Sequence, residues 1–408
     1  MLEKAKENKT MIIVALALSA LALLADNGIY PAADVLYQTY ENENIIAVNY
    51  AITGGSLSVL VGSILSGFVA RKVNNKTILT VSYVVFILSE VLAVAVNNLW
   101  YLLVMRTLAG LSMGFITISS AALIADLFPS DKAQSRVMSY YSAMMSLFGA
   151  LASVAAGYLV LIDWHLIFQI YWVAVPVLVL IIVFVPNNNK PVIALQKGEE
   201  EPHAGSTDGK AHWSSAVSTY IAVFIYNALY GVTLTMMAVF LAEEGIGDAS
   251  TAGLLGMVGT LASMVMCFVF SPIFMKTKKF SPVIFACTLL VGFAFFAVAA
   301  ESQNIPLLFA GAIIQGFGMG YQFNYYLITA SLCLPEDKVS MSIGFENAAI
   351  FAGLFLAPYV CPLYESIFGL NSMAECMPFL AGTMFVFGAI SFCLYLRSKK
   401  VGDLFREQ

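Results

Sequence analysis

Residues 99–123 read Leu99-Trp-Tyr-Leu-Leu-Val-Met-Arg106-Thr-Leu-Ala109-Gly110-Leu-Ser-Met113-Gly114-Phe-Ile-Thr-Ile-Ser-Ser-Ala-Ala-Leu123, with Arg106 the one charged side chain in the run. A bilayer core about 30 Å thick is crossed by about 20 apolar helical residues, so this stretch reads as a membrane span. Its surroundings agree: the 408 residues are 60% hydrophobic and 11% charged, with a mean hydropathy of +0.84. Soluble domains carry about 25% charged residues, so a soluble globular class is excluded.

Working outward, apolar runs bounded by Gly, Pro, Asn or charged residues fall at 11–35, 45–70, 77–96, 99–123, 137–161, 166–185, 217–241, 249–275, 282–300, 305–333, 339–360 and 377–396. The expected fold is an all-α membrane protein with twelve transmembrane helices, numbered here as spans 1 to 12. With the N-terminus in the cytoplasm, 19 of the 20 lysines and arginines lie in loops on that side, Arg106 being the exception. The opposite loops carry acids such as Glu41, Asp163, Glu243, Asp248, Glu301 and Glu365. This is the positive-inside pattern, and it predicts a multi-pass protein of a bacterial inner membrane with both termini cytoplasmic. Lys4, Lys6 and Lys9 before span 1 imitate a signal peptide, but the apolar stretch resumes past Asp26 and is read as a retained helix. The long polar segment 186–215 reads as a cytoplasmic linker between bundles 1–185 and 216–408.

The two halves carry an internal repeat. A displacement of 206 residues sets Gly110, Met113, Gly114, Pro129, Asp131 and Lys132 on Gly316, Met319, Gly320, Pro335, Asp337 and Lys338. Both segments belong to the fourth span of a half, which predicts two six-helix bundles with pseudo-two-fold symmetry and a substrate site between them.

With these motifs assembled, the chain resembles the major facilitator superfamily over essentially its whole length. Arg106 to Gly114 resembles the family's RxxQGxGxG element with Ala109 in the glutamine place; span 10 keeps Gln315 and Gly316 and has Ala312 where the arginine would be. Gly67-Phe-Val-Ala-Arg71-Lys72-Val-Asn74-Asn75-Lys76 resembles the loop pattern between spans 2 and 3, with Arg71 replacing an aspartate that in the family takes part in a cytoplasmic charge gate. The resemblance therefore implies a gate here built from Arg71, Lys72, Asp126 and Asp131, with Arg71 pairing to one of the two aspartates. Asp26-Asn-Gly-Ile-Tyr30-Pro31-Ala32 is similar to the D-x-Y-x-P-A-L segment of the drug/proton antiporter branch, whereas span 5 lacks that branch's Gly-Pro signature. The family's habit implies a monomer.

Charges in the membrane cost at least about 2.5 to 3.5 kcal/mol at a helix centre on insertion scales, so each asks for a reason. Glu90 and Arg106 lie eight residues either side of Asn98, the tip of the hairpin between spans 3 and 4. Both should sit about 12 Å below the outer surface, and Asp26 about 15 Å down, giving Arg106 two possible carboxylate partners. Burial favours a neutral carboxyl and a nearby guanidinium favours the ionised one, so proton uptake by Asp26 or Glu90 would report the position of Arg106. In the second half Glu346 and Asn324 are each eleven residues from Pro335, at a shared level about 16 Å from the cytoplasmic surface. That half of the membrane holds no lysine or arginine, so Glu346 is expected to carry a proton or to await a cation.

Gln315, Met319, Gln322 and Tyr326 recur at helical spacing on one face of span 10, and Tyr226, Asn227 and Tyr230 add aromatic and amide groups from span 7. Together with Tyr30, Asn324 and Arg106 they form the expected substrate wall, suited to a ligand partly apolar and partly polar. The reading is a secondary active transporter that exports a small amphipathic organic compound by alternating access, coupled to protons, with Asp26, Glu346 and Glu90 as proton-coupling acids. An importer of an organic anion with Arg106 as counter-ion is the alternative; a membrane-embedded sensor or enzyme is the third. Small-molecule substrate, protons and the lipid bilayer are the expected partners. The six cysteines form no CxxC pair, so no zinc, disulfide framework or other cofactor is expected. A net charge of −5 argues against nucleic acid, and no phosphate-cradling loop points to ATP.

Overall fold

The computed structural model describes residues 9–128, 131–187, 212–277, 280–335 and 338–397, with side chains left out at 23–26, 131, 132, 135, 271, 339, 340 and 391–397. The chain divides into two compact units, 1–201 and 202–408. All regular structure among the described residues is helical. In unit 1 the helices are α1 (Lys9–Leu18), α2 (Ala33–Thr39), α3 (Ile45–Val69), α4 (Asn75–Val91), α5 (Leu99–Leu127), α6 (Asp131–Val160) and α7 (Ala174–Phe184). In unit 2 they are α8 (Trp213–Thr235), α9 (Met237–Glu243), α10 (Ala249–Thr277), α11 (Ser281–Ser302), α12 (Ile305–Cys333), α13 (Val339–Leu356), α14 (Val360–Phe368) and α15 (Met373–Arg397).

Among the described residues, nine helical stretches are long and apolar enough to cross a membrane. Spans 1, 3 and 10 are not among the nine. Span 1 is divided: α1 tightens at Ser19 into the 3-10 stretch Ser19–Gly28, then Tyr30–Ala32, before α2. Span 3 is the 17-residue α4. Span 10, α12, carries Gln315, Gln322, Asn324 and three tyrosines, which lower its hydropathy. Span 6 is likewise composite, the 3-10 stretch Trp164–Val173 leading into α7.

Short polar side chains fix where the helices start. Asn44, Asn74, Asn98 and Asp163 each sit in extended backbone and accept a hydrogen bond from a first-turn N–H, of Ile46, Lys76, Tyr101 and His165 respectively. These are N-caps, each worth about 1 kcal/mol, and the one at Asn98 sets the register of α5 from the hairpin tip.

The repeated glycines are where helices touch. A Cβ on Gly110 would lie 2.4 Å from Gly55 O, and one on Gly114 2.4 Å from Val59 O, so α5 crosses α3 backbone to backbone. In unit 2 a Cβ on Gly316 would lie 2.2 Å from Gly259 O and one on Gly320 2.3 Å from Ser263 O, the same crossing between α12 and α10. Inside a bilayer, where apolar burial drives helix association weakly, such small-residue contacts supply van der Waals packing and tolerate no larger side chain.

Candidate functional site

In unit 1, α4 and α5 run antiparallel from the Asn98 cap, and the equal spacing brings Glu90 and Arg106 level. Arg106 Nη1 donates to Glu90 Oε1 at 2.9 Å, with side chains 1% and 0% exposed. Arg106 Nε donates to Ala51 O of α3 at 3.2 Å. Of the two carboxylates expected to compete for Arg106, Glu90 holds it; the side chain of Asp26 lies outside the described residues. Tyr30 is buried in the 3-10 stretch Tyr30–Ala32. The change from α1 to the first 3-10 stretch is bonded at Ser19, whose carbonyl accepts from Tyr83 OH at 2.7 Å and whose hydroxyl lies 2.9 Å from Ser120 Oγ. That hydroxyl also donates to Leu16 O at 2.7 Å.

In unit 2, α8 and α12 carry the expected substrate residues of that half, with α11 packed against them. Gln315 and Gln322 are buried on one face of α12, and Thr233 of α8 donates to Gln315 Oε1 at 2.7 Å. Gly292 of α11 makes room for that glutamine: a Cβ there would lie 2.2 Å from its Cγ. Tyr226 stacks on Tyr230, centroids 6.2 Å apart, and meets Phe285 edge-on at 5.5 Å. Phe285 in turn packs on Tyr326 at 5.2 Å. The Tyr226 hydroxyl points at the gap left by Gly318 on α12, where a Cβ would lie 3.2 Å away. Asn227 donates to Val223 O at 2.8 Å.

These amide side chains are buried and incompletely bonded. Among the described residues Gln322 Oε1 and Nε2, Gln315 Nε2 and Asn227 Oδ1 have no hydrogen-bond partner. Buried amides left so cost about 1 to 3 kcal/mol each, and a fold keeps them where something else bonds them. Glu346 of α13 is 1% exposed, and neither of its carboxyl oxygens has a partner among the described residues. Met319 is half-buried on the same α12 face. Asn324, expected at the level of Glu346, donates from Nδ2 to Gly320 O of its own helix at 2.8 Å and lies 3.3 Å from Cys267 Sγ of α10.

At the polar end of unit 1, Arg71 and Lys72 are exposed, and the Arg71 guanidinium lies over the Phe68 ring, 5.5 Å from its centroid. Asp126, near the end of α5, is exposed too, and the side chain of Asp131 lies outside the described residues. Two other residues of the same loop motif, given no gating role in the sequence, tie this loop to the end of α7 and the residues after it: Lys76 Nζ donates to Ile182 O at 2.8 Å and Asn74 Nδ2 donates to Asn187 O.

Comparison with known proteins places this architecture. The family model described as Major Facilitator Superfamily matches residues 15–358. A relative, the Minor myo-inositol transporter IolF of Bacillus subtilis (strain 168), is 25% identical over 337 residues, covering 79% of this chain and 76% of the relative. Among solved structures, the fold is similar to a POT family transporter in complex with a thioalcohol conjugated peptide, with a TM-score of 0.75, 12% identity and 96% of each chain covered. It is also similar to the xylose transporter XylE from E. coli, with a TM-score of 0.69, 13% identity and 96% and 97% of the two chains covered.

Proposed function

This chain belongs to the Major Facilitator Superfamily and is a secondary transporter rather than an enzyme, and from that premise we propose that it moves a small neutral, multiply hydroxylated solute together with a proton carried by Glu346. The observation that carries the reading is a set of buried groups in unit 2 without a hydrogen-bond partner among the described residues: amide atoms of Gln315, Gln322 and Asn227, on the helices α8 and α12 that also carry the Tyr226 and Tyr326 rings. Paired amides recognise hydroxyls, which both donate and accept, and aromatic faces cover the apolar side of a ring. The inositol-transporting relative supports that solute class.

Arg106 fits a neutral solute better than an anion. Its charge is matched by Glu90 inside unit 1, so recruiting it as a counter-ion would strand a buried carboxylate. Among the described residues Glu346 has no such partner. A carboxyl in this setting holds a proton while closed off from water and releases it when solvent arrives, which is the property coupling requires.

The offset between the two groups bears on direction. A Cβ on Gly353 would lie 3.0 Å from Asn227 Cβ, and Gly353 is seven residues beyond Glu346 on α13, about 10 Å along the helix. Proton and solute can then be held at the same time, as in symport, and an inward proton gradient would drive uptake. Export, the direction that the Asp26 to Ala32 segment suggests, follows instead if the two compete. Uptake of a radiolabelled panel of inositols, hexitols, organic anions and lipophilic cations into proteoliposomes under an imposed pH gradient separates these outcomes. Polyol accumulation with the acid side outside supports the reading; movement of anions or cations alone overturns it.

A further inference from the structure

Glu346 is buried, and a bond between two other residues lies one turn before it on α13. Ser342 lies one turn before Glu346 on α13, toward Lys338, and is fully buried. Its hydroxyl donates to Ala330 O of α12 at 2.6 Å. A serine hydroxyl has one proton to give. The 2.6 Å contact between Tyr220 OH and Ser342 Oγ is therefore a bond donated by the tyrosine. Tyr220 comes from α8, and its ring rests on that of Phe345, 5.8 Å away.

Three helices thus meet through one phenol. Tyr220 lies within electrostatic range of Glu346 and of Cys333 on α12, the titratable groups that act on it among the described residues. Lys338, at the N-cap of α13, is exposed at the outer edge. We propose that the Tyr220–Ser342 hydrogen bond is a latch that shuts the route by which water reaches Glu346 from the Lys338 end of unit 2. A neutral hydrogen bond favours its closed state by only a few-fold to roughly tenfold, which is weak enough to open within a transport cycle. Its use in transport rests on the reading of Glu346 as the coupling acid; the closure itself does not.

Carboxyl labelling tests the latch without transport. The protein in nanodiscs is treated with a water-soluble carbodiimide and an amine, and the Glu346 peptide is followed by mass spectrometry for wild type, Tyr220→Phe and Ser342→Ala. Both substitutions keep the packing and remove the bond, and roughly 3- to 10-fold faster labelling of Glu346 is expected in each. Labelling at the wild-type rate in both variants overturns the latch. Glu346→Gln, assayed separately for gradient-driven uptake, reports on the coupling reading, so a failure of one is not mistaken for a failure of the other.

Discussion

Arg106 Nη1 stands 2.9 Å from Glu90 Oε1, and neither side chain is more than 1% exposed. The pair joins α4 to α5, while the bond from Arg106 Nε to Ala51 O brings in α3. Three helices of unit 1 are therefore tied at one depth by one guanidinium.

Removing one partner should be far worse than removing both. Arg106→Met leaves a buried carboxylate and is expected to cost about 3 to 5 kcal/mol, whereas Arg106→Met with Glu90→Leu should recover most of the loss. Thermal unfolding in detergent checks this, and polyol uptake by the double variant checks that the pair is a scaffold. An unstable double variant, or a stable one without uptake, would give Arg106 a role beyond its partner.

Glycine substitutions should sort by contact. In Gly114→Ala and Gly320→Ala the new Cβ meets backbone oxygen at 2.4 and 2.3 Å, so each should lose about 1 to 3 kcal/mol of stability. Gly67→Ala and Gly344→Ala meet nothing within 4 Å and should gain about 0.5 to 1 kcal/mol from helix propensity. Melting temperatures of the four variants decide the matter.

The amide cluster predicts a separation of binding from stability. Gln322 is buried with neither amide atom bonded among the described residues, so Gln322→Leu removes an unpaid desolvation cost and should leave the melting temperature unchanged or raised. Polyol affinity should fall about tenfold or more by the same loss of paired groups. A drop in stability with affinity intact would make Gln322 a packing residue.

At the start of α10, the Asp248 carboxyl accepts from Ser250 Oγ at 2.6 Å and Thr251 N at 3.0 Å. The Ser250 hydroxyl first, then the Thr251 N–H, hold it below the ordinary aspartate value of 3.8. A depressed folded value means that its stabilising contribution is full above about pH 4 and is lost as pH falls through the folded value. Asp248→Asn, which caps as well, should flatten that part of the acid-unfolding curve, and Asp248→Ala should cost about 1 kcal/mol at neutral pH.

Much of this was legible in the sequence because membranes impose simple rules. Windows of about 20 apolar residues located the helices. Equal spacing of Glu90 and Arg106 from Asn98 anticipated their meeting, since the asparagine that caps α5 is also the hairpin tip. The 206-residue repeat pointed to Gly110 and Gly316, though not to what they touch. What the sequence hid depends on distant partners: the rewinding at Ser19 is bonded by Tyr83, Asn324 turns toward Cys267, and the Tyr220–Ser342 bond joins residues 122 positions apart. No local pattern encodes such pairings.

Glu346→Gln is the most direct test of the central claim. In proteoliposomes the variant should lose polyol accumulation driven by a proton gradient while retaining solute exchange at equal concentrations, because exchange needs the binding cluster and not the proton. Gradient-driven accumulation at the wild-type level in Glu346→Gln would contradict the account.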